Sequence, residues 1–133
     1  MALYLNGNKI IGSLVIDGAV PGTIIEYLEK NPKSGVYINE NNGNEVSYSG
    51  WSATDFIEVS GGEVIHFAWG YLGGGYQNKY NACYDSSKHF IRNLPMINGG
   101  YATYTMPANA KYIRCSSMTS TLNDTQIWRE RSA

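Results

Sequence analysis

The sequence predicts an all-β protein built from antiparallel strands that close into a sandwich or a barrel. Turn signals recur at close spacing along all 133 residues. Asn-Gly and Asp-Gly pairs supply the positive φ angles that tight hairpins require, and the segments between them are rich in Val, Ile, Tyr, Phe and Thr. The turn signals are Asn6-Gly7, Asp17-Gly18, Asn42-Gly43, Gly61-Gly62, Gly73-Gly74-Gly75, Asp85-Ser86-Ser87 and Asn98-Gly99-Gly100.

Hydrophobic alternation with a period of two supports the same fold class. Two segments, 63–69 and 111–116, show it most clearly. The predicted inward positions are Ile65, Phe67 and Trp69 in the first and Ile113 and Cys115 in the second, and the outward ones are Val64, His66 and Ala68, and Tyr112, Arg114 and Ser116. One apolar and one polar face is typical of a half-buried antiparallel strand. About ten such segments predict a sandwich or barrel.

The chain divides near residue 33. The segment Thr23–Lys30 fits either a short helix or a strand, and Pro32 then forces the preceding residue out of helical geometry. We therefore predict an N-terminal arm over 1–33 and a compact module over 34–133. The apolar Ile10-Ile11 and Leu14-Val15-Ile16 in the arm predict attachment to another subunit, or strand exchange between copies in a homo-oligomer.

Composition favours a neutral, hydroxyl-rich partner. The formal net charge is −1 and only 16% of residues are charged, which gives no electrostatic reason to expect nucleic acid or a membrane surface. The chain holds 11 Tyr and many Asn and Ser, whose side chains suit uncharged ligands. The start lacks a basic leader followed by an apolar stretch, so we expect synthesis in the cytosol and a soluble product.

The two cysteines, Cys83 and Cys115, each lie inside a predicted strand. Free cysteine behaves as a small buried hydrophobe, so two reduced core residues are the favoured interpretation. A disulfide, or a metal pair with His66 or His89, is the alternative. Neither cysteine belongs to a C-x-x-C pair, which weakens the metal alternative.

From Val36 onward the chain resembles a module found in tail and fibre proteins of phages and prophages of Gram-positive bacteria. The segments that carry this resemblance are Gly35–Asn39, Ser49–Val59, Tyr80–Ile91 and Met106–Ser116, and Leu3–Ile10 is similar to the opening of small phage structural proteins. The resemblance implies a jelly-roll β-sandwich of the carbohydrate-binding-module type. It also implies a place on a virion tail, with other tail proteins as partners and no catalytic residues. The chain departs from the pattern at Cys83 and Cys115, where larger side chains are expected.

Aromatic and amide side chains mark the candidate sugar sites. Trp69, Tyr71 and Tyr76 bracket a glycine-rich loop, and Asn78 and Asn81 follow it. Aromatic faces suit the C–H side of a sugar ring, and amides bind its hydroxyls. A second candidate pairs Tyr101 with Tyr104, beside Arg114, which could serve a saccharide or, the favoured interpretation, bridge strands. Trp51 and Trp128 are assigned to packing.

Catalysis is not expected. Gly50–Thr54 lacks the second glycine of a nucleophile elbow, and the two histidines lie on separate segments. A pair of carboxylates such as Asp55 with Glu58 or Asp85 would suit a glycosidase. The favoured interpretation is that Asp55 binds neighbouring backbone amides and that Asp85 opens a turn. No cofactor is expected apart from a structural calcium ion, for which no ligand spacing is diagnostic.

Three functions remain open at this stage. Non-catalytic recognition of host-surface or environmental glycans ranks close to a purely structural role in which the chain binds only other tail subunits. A small hydrolase ranks far behind.

Overall fold

The structure, a computed structural model, describes residues 3–5, 8–10, 13–14, 23–68, 81–94 and 101–132. In chain order the elements there are β1 (Leu3–Leu5), β2 (Asn8–Ile10), β3 (Ser13–Leu14), β4 (Thr23–Tyr27), β5 (Lys33–Ile38), β6 (Glu45–Ala53), β7 (Ile57–Glu58), β8 (Val64–Ala68), β9 (Asn81–Tyr84), β10 (Phe90–Asn93), β11 (Tyr101–Thr105), β12 (Tyr112–Met118), α1 (Thr119–Asp124) and β13 (Gln126–Ser132). The predicted all-β class is confirmed.

Two antiparallel sheets form the body of the protein. The first has the order β10-β9-β12-β6-β5, with β7 paired to β12, and the second has the order β11-β8-β13-β4-β3. Strands β1 and β2 form a two-stranded antiparallel sheet. From β4 to β13 the chain crosses several times between the two sheets. The resulting strand orders are those of a jelly roll: β10-β9-β12-β6 in the first sheet and β11-β8-β13-β4 in the second. The predicted sandwich is therefore confirmed.

The main core lies between the two sheets. Alternation in β8 is as predicted, because Ile65 and Phe67 are fully buried while Val64 and His66 retain exposed surface. Ile127 of the second sheet also belongs to this core, and the first sheet contributes Ile113 and both cysteines. The buried members of this core are Ile57, Val59, Ile65, Phe67, Cys83, Leu94, Met106, Ala110, Ile113, Cys115 and Ile127.

Both cysteines are free thiols in this core. Across the β9–β12 ladder Cys83 lies opposite Ile113, and Cys115 lies opposite Asn81. The two cysteines are therefore diagonal neighbours on one face of the sheet, with Cα atoms about 7–8 Å apart, whereas a directly opposite pair would lie closer. The favoured interpretation, two reduced core residues, is confirmed for the structure.

Strand β12 differs from the sequence prediction. Tyr112, Arg114 and Ser116 were expected on a solvent face, yet every residue from Ile113 to Ser117 is buried. The reason is a second, smaller core on the outer face of the first sheet. It contains Val36, Ile38, Ala53, Ala82 and Tyr84, with Phe56, Phe90 and Tyr112 packed against it.

The β5–β6 hairpin covers the polar residues of β12 on this outer face. Its ladder shifts register between Ser34 and Val36, where Gly35 has a φ of 82°. Beyond this irregularity the hairpin tip, which we define as residues 36–47, contacts the outer face of the first sheet. The hydroxyl of Ser116 accepts a hydrogen bond from the backbone N–H of Ile38 at 3.0 Å, and the hydroxyl of Tyr84 donates to the carbonyl of Gly43 at 2.7 Å.

Gly43 is required by this contact. Its φ is 73°, and a Cβ atom there would lie 2.8 Å from ring atoms of both Tyr84 and Phe90. Any side chain would therefore collide with the small core, in addition to the strain of a left-handed backbone. The predicted Asn42-Gly43 turn is confirmed, and its glycine also permits close packing.

The predicted boundary near residue 33 needs correction. Strand β4 pairs with β13 from Thr23 opposite Ser132 to Tyr27 opposite Trp128, and β3 pairs with β4. The ambiguous segment is thus a strand, and the later part of the proposed arm belongs to the second sheet. Strand β4 ends at Tyr27, and Pro32 directly precedes β5. Of the apolar arm residues, Ile11 and Val15-Ile16 lie outside the described residues.

Candidate functional site

The outer face of the second sheet carries a row of rings. Because Ile65, Phe67 and Ile127 face the core, their neighbours along β8 and β13 face outward. Four rings from four adjacent strands then lie side by side: Tyr27 of β4, Trp128 of β13, His66 of β8 and Tyr101 of β11. We call these four residues the aromatic row.

The rings are in mutual contact. The imidazole of His66 is stacked on the indole of Trp128, with centroids 5.3 Å apart and an interplanar angle of 10°. Tyr27 and Tyr101 lie on either side of Trp128, each with its ring centroid 6.0 Å from that of the indole. These distances fall within the 4.5–7 Å range in which aromatic pairs attract one another.

The row is open to solvent. Tyr27 is 45% exposed and Tyr101 is 55% exposed, and Val64 on the same face is 41% exposed. Trp128 and His66 between them are partly exposed. A contiguous exposed apolar patch of this kind is typical of an interaction site.

Hydrogen bonds fix the imidazole in the middle of the row. Nδ1 of His66 lies 2.9 Å from the hydroxyl of Tyr101 and 3.4 Å from that of Thr103. Its Nε2 lies 3.6 Å from a carboxylate oxygen of Glu130. Since both ring nitrogens have polar neighbours, the imidazole holds Tyr101 and Trp128 in one relative orientation.

Among the described residues of β4, β8, β11 and β13, Glu130 is the one Asp, Glu, Lys or Arg side chain on the face of the row, because alternation places Glu26, Arg129 and Arg131 on the opposite face. On that opposite face Arg131 forms an ion pair with Glu26, and Nη1 of Arg129 lies 3.2 Å from a carboxylate oxygen of Glu63. The face of the row therefore suits an uncharged ligand better than an anionic one.

A groove of about 290 Å³ opens at the Tyr27 end of the row. Tyr27 lines it together with Leu28, Lys30, Thr125, Gln126 and Ile127. The ammonium of Lys30 donates to the carbonyls of Leu122 at 2.9 Å, Asn123 at 3.2 Å and Thr125. Lys30 thereby satisfies carbonyls at the C-terminal end of α1.

Of the residues predicted to bind sugar, the structure places Tyr101 in the row. Its proposed companion Tyr104 points the other way, because it packs against the main core beside Phe67 at a centroid distance of 5.8 Å. Burial raises the pKa of the Tyr104 phenol. Trp69, Tyr71, Tyr76 and Asn78 lie outside the described residues.

Asn81 is a core residue with no exposed surface. Its side-chain oxygen accepts a hydrogen bond from the backbone N–H of Ser116 at 3.1 Å, and its amide donates to the carbonyl of Leu94 at 3.4 Å. The prediction that Asn81 offers its amide to a sugar is therefore corrected. A buried amide of this kind joins neighbouring strands.

Arg114 bridges strands, as favoured from the sequence, and is only 5% exposed. Its Nε donates to the carbonyl of Thr54 at 2.8 Å, and Nη2 lies 2.8 Å from a carboxylate oxygen of Glu45. The guanidinium also lies over the ring of Phe56, 4.9 Å from its centroid. These contacts engage Arg114 inside the fold, so the saccharide role is corrected.

Sequence reasoning missed three members of the row: Tyr27, His66 and Trp128. The assignment to packing holds for Trp51, which is 9% exposed, but Trp128 lies outside both cores, on the outer face. The sequence did contain a signal for Trp128. Successive residues of a strand point to opposite faces, so assigning Ile127 to the core predicts that Trp128 points outward. His66 was correctly assigned to the outward face of its strand.

The carboxylates considered for catalysis have structural partners. Oδ1 of Asp55 accepts a hydrogen bond from the backbone N–H of Phe56 at 2.7 Å. Oδ1 of Asp85 accepts from Ser87 and His89, each at 2.9 Å, which confirms that Asp85 organises a turn. Within the described ranges, no three His, Cys, Asp or Glu side chains are grouped so that they could hold a metal ion. The helix found in those ranges is too short to cross a membrane.

Comparisons of the chain with models of protein families, with curated protein sequences and with solved structures found no match in any of the three. The fold and the aromatic row are therefore the observations from which a function can be argued.

Proposed function

We propose that this chain is a non-catalytic glycan-binding module of a phage or prophage tail, which recognises host-surface or environmental glycans through the aromatic row. The single observation that supports glycan binding most strongly is the solvent-exposed group of four rings, Tyr27, Trp128, His66 and Tyr101, on four adjacent strands. The assignment to a virion tail depends on the resemblance of residues 35–116 to tail and fibre modules.

The aromatic row spans four strands and offers a continuous ring surface to a sugar. The ring centroids of Tyr27 and Tyr101 each lie 6.0 Å from that of Trp128, and the centroid of His66 lies 5.3 Å from that of Trp128 and 6.3 Å from that of Tyr101. Pyranose rings have C–H faces that stack on such surfaces, while their hydroxyls require nearby polar groups. Thr103 and Glu130 provide acceptors beside the rings.

Binding by one module is expected to be weak. Each aromatic contact contributes about 1 kcal/mol, so three contacts give an affinity far from the nanomolar range. Several copies on one particle would raise the overall avidity without any new contact. A tail that carries many copies of a weak module fits this arithmetic.

The test is a glycan array followed by titration calorimetry on the best ligand. Trp128→Ala removes the central ring, and we expect about tenfold weaker binding or complete loss. Tyr48→Ala is the matched control, because Tyr48 is an exposed tyrosine (57%) on a strand of the first sheet, where we expect no effect. The proposal fails if no glycan binds, or if Tyr48→Ala weakens binding as much as Trp128→Ala.

A structural role that involves only other tail subunits is the second candidate. The observation that favours it is the apolar character of the exposed patch, which includes Val64 as well as the tyrosines. Protein interfaces are enriched in such aromatic side chains. In this case Trp128→Ala would abolish co-purification with a tail subunit while glycan binding would be absent in the parent chain.

A truncation test of assembly must respect the second sheet. Because β3 and β4 belong to that sheet, deletion of the N-terminal segment should stop before Ser13. Light scattering on the full chain and on the truncated chain would then report whether the first strands mediate self-association. An unchanged oligomeric state after truncation would contradict strand exchange through the residues before Ser13.

A further inference from the structure

The one carboxylate on the face of the aromatic row is exposed. Glu130 lies two residues after Trp128 on β13, and its side chain is 51% exposed. Among the described residues of β4, β8, β11 and β13, no lysine or arginine shares this face, because alternation turns Arg129 and Arg131 to the other side. The formal charge on the face of the rings is therefore negative whenever the imidazole of His66 is neutral.

Apolar side chains lie next to this carboxylate. Ile25 is the partner of Glu130 across the β4–β13 ladder, so both side chains point to the same face. His66 is the partner of Trp128 in the β8–β13 ladder, and two residues further along these antiparallel strands come Val64 and Glu130. Val64 is 41% exposed and Ile25 is partly exposed. Glu130 is thus an acidic group between aromatic rings and aliphatic side chains.

The ammonium group of Lys30 does not neutralise Glu130. It is bound at the other end of β13, where it donates to the carbonyls of Leu122, Asn123 and Thr125. A strand advances by about 3.4 Å per residue, so Glu130 lies on the order of 15 Å from Thr125 along the chain. Charges near a surface that are this far apart are largely screened in physiological salt.

Rings with an adjacent carboxylate match the chemistry of a quaternary ammonium group. The faces of tryptophan and tyrosine rings attract cations, and a nearby carboxylate adds a Coulombic attraction. A quaternary ammonium has no N–H donor and carries its charge on a surface of methyl groups, which can contact Val64 and Ile25 without leaving a hydrogen bond unmade. A primary ammonium is less suited to an apolar surrounding, because its three N–H donors all require acceptors.

We propose that the face of the aromatic row binds a quaternary ammonium substituent of a glycan. This inference rests on the proposed glycan-binding function and names the substrate class of that site, a glycan that is uncharged apart from a choline-type group. Trp128 and Tyr27 provide ring surface to the cation, Glu130 is its counterion, and Val64 contacts its methyl groups.

Three small probes separate the effects of charge and of methyl groups. Choline is compared with its carbon isostere, in which a carbon atom replaces the nitrogen and the charge is absent, and with ethanolamine, which is a cation without the methyl groups. Binding is followed by NMR of the indole N–H signals at constant ionic strength and at about pH 8, where an imidazole is ordinarily uncharged and does not compete for the carboxylate. We expect choline to bind about tenfold more tightly than either of the other probes.

Glu130→Gln keeps the size of the side chain and removes its charge. We expect this variant to bind choline about tenfold more weakly, with the affinity of the carbon isostere, and to bind the isostere itself as the parent chain does. Glu58→Gln is the matched control, because Glu58 is a carboxylate of the first sheet whose side chain is 71% exposed. Thermal unfolding of both variants should match that of the parent chain, since both side chains are exposed.

The outcomes distinguish failure of this inference from failure of the proposed function. An array that presents choline-bearing glycans beside their unsubstituted counterparts should favour the former, and excess choline should release the bound chain. Equal affinity for choline and its carbon isostere, or a preference for choline that survives Glu130→Gln, overturns the cation site but leaves intact any glycan binding that Trp128→Ala weakens. If choline binds as expected and no glycan on the array does, the proposed function is wrong and the assignment of the cation to a glycan is overturned with it.

Discussion

The guanidinium of Arg114 lies 2.8 Å from the carboxylate of Glu45, and this ion pair ties the middle of the first sheet to the hairpin tip that covers it. Arg114 is buried, whereas the side chain of Glu45 is 32% exposed. The buried charge is acceptable because the carbonyl of Thr54 and the ring of Phe56 also contact the guanidinium.

Removal of the carboxylate should destabilise the fold. In Glu45→Ala the buried guanidinium loses its counterion, and we expect a loss of about 2 kcal/mol in the free energy of unfolding, measured by urea denaturation. Lys33 provides the control, because it pairs with the same carboxylate at 2.8 Å but its side chain is 61% exposed. Lys33→Ala should cost less than about 1 kcal/mol. Equal losses in the two variants would contradict a special role for Arg114.

Stability should fall in acid through this same carboxylate. The hydrogen bond from Lys33 and, after it, that from Arg114 hold the pKa of Glu45 below its usual value of 4.5, against the opposing effect of burial. A lowered folded-state pKa means that the contribution is complete above pH 4.5 and is lost as the pH falls through the folded-state value. Unfolding curves at successive pH values should therefore show a shallower acid decline for Glu45→Gln than for the parent. Parallel declines would refute this assignment.

Two glycines separate backbone strain from steric collision. Gly50 has a φ of 85°, and no atom lies within 4 Å of the position that a Cβ would take. Gly50→Ala should therefore lower the free energy of unfolding by about 1 kcal/mol, from backbone strain alone. Gly43→Ala adds the collision with Tyr84 and Phe90, and we expect about 3 kcal/mol. Both are measured by chemical denaturation. If the two variants lose the same stability, the hairpin tip does not pack as closely as the structure shows.

The thiols should be unreactive in the native protein. Burial raises the pKa of both Cys83 and Cys115, which keeps them in the protonated form that does not attack a disulfide reagent. We expect negligible reaction with Ellman's reagent in buffer and reaction of both thiols in guanidinium chloride. An intact mass that corresponds to an oxidised chain, or rapid native reaction, would contradict this prediction.

Local pattern was enough to predict the strands and the phase of β8, because alternation depends only on neighbouring residues. It was not enough for β12. The same alternation indicates which side chains share a face, but it cannot show that the hairpin tip, far away in sequence, covers the polar face. Arg114 and Ser116 are ordinary outward residues by pattern and become buried through contacts with Glu45 and Ile38.

The aromatic row could not be predicted from the sequence for a similar reason. Its members lie at positions 27, 66, 101 and 128, and only the register of four strands brings them side by side. Tyr101 was selected because aromatic residues cluster near it in the sequence, whereas Trp128 has no such neighbours. The boundary near residue 33 failed because Pro32 is a local signal, while the pairing of β4 with β13 joins opposite ends of the chain.

The hairpin tip covers part of the outer face of the first sheet, whereas the outer face of the second sheet, with Tyr27 and Tyr101, is exposed. If two copies associated through the aromatic row, each copy would use the same surface. Such a contact ends in a twofold pair, because both rows are then covered, and it cannot by itself continue into a fibre. Association through the aromatic row would therefore stop at a dimer.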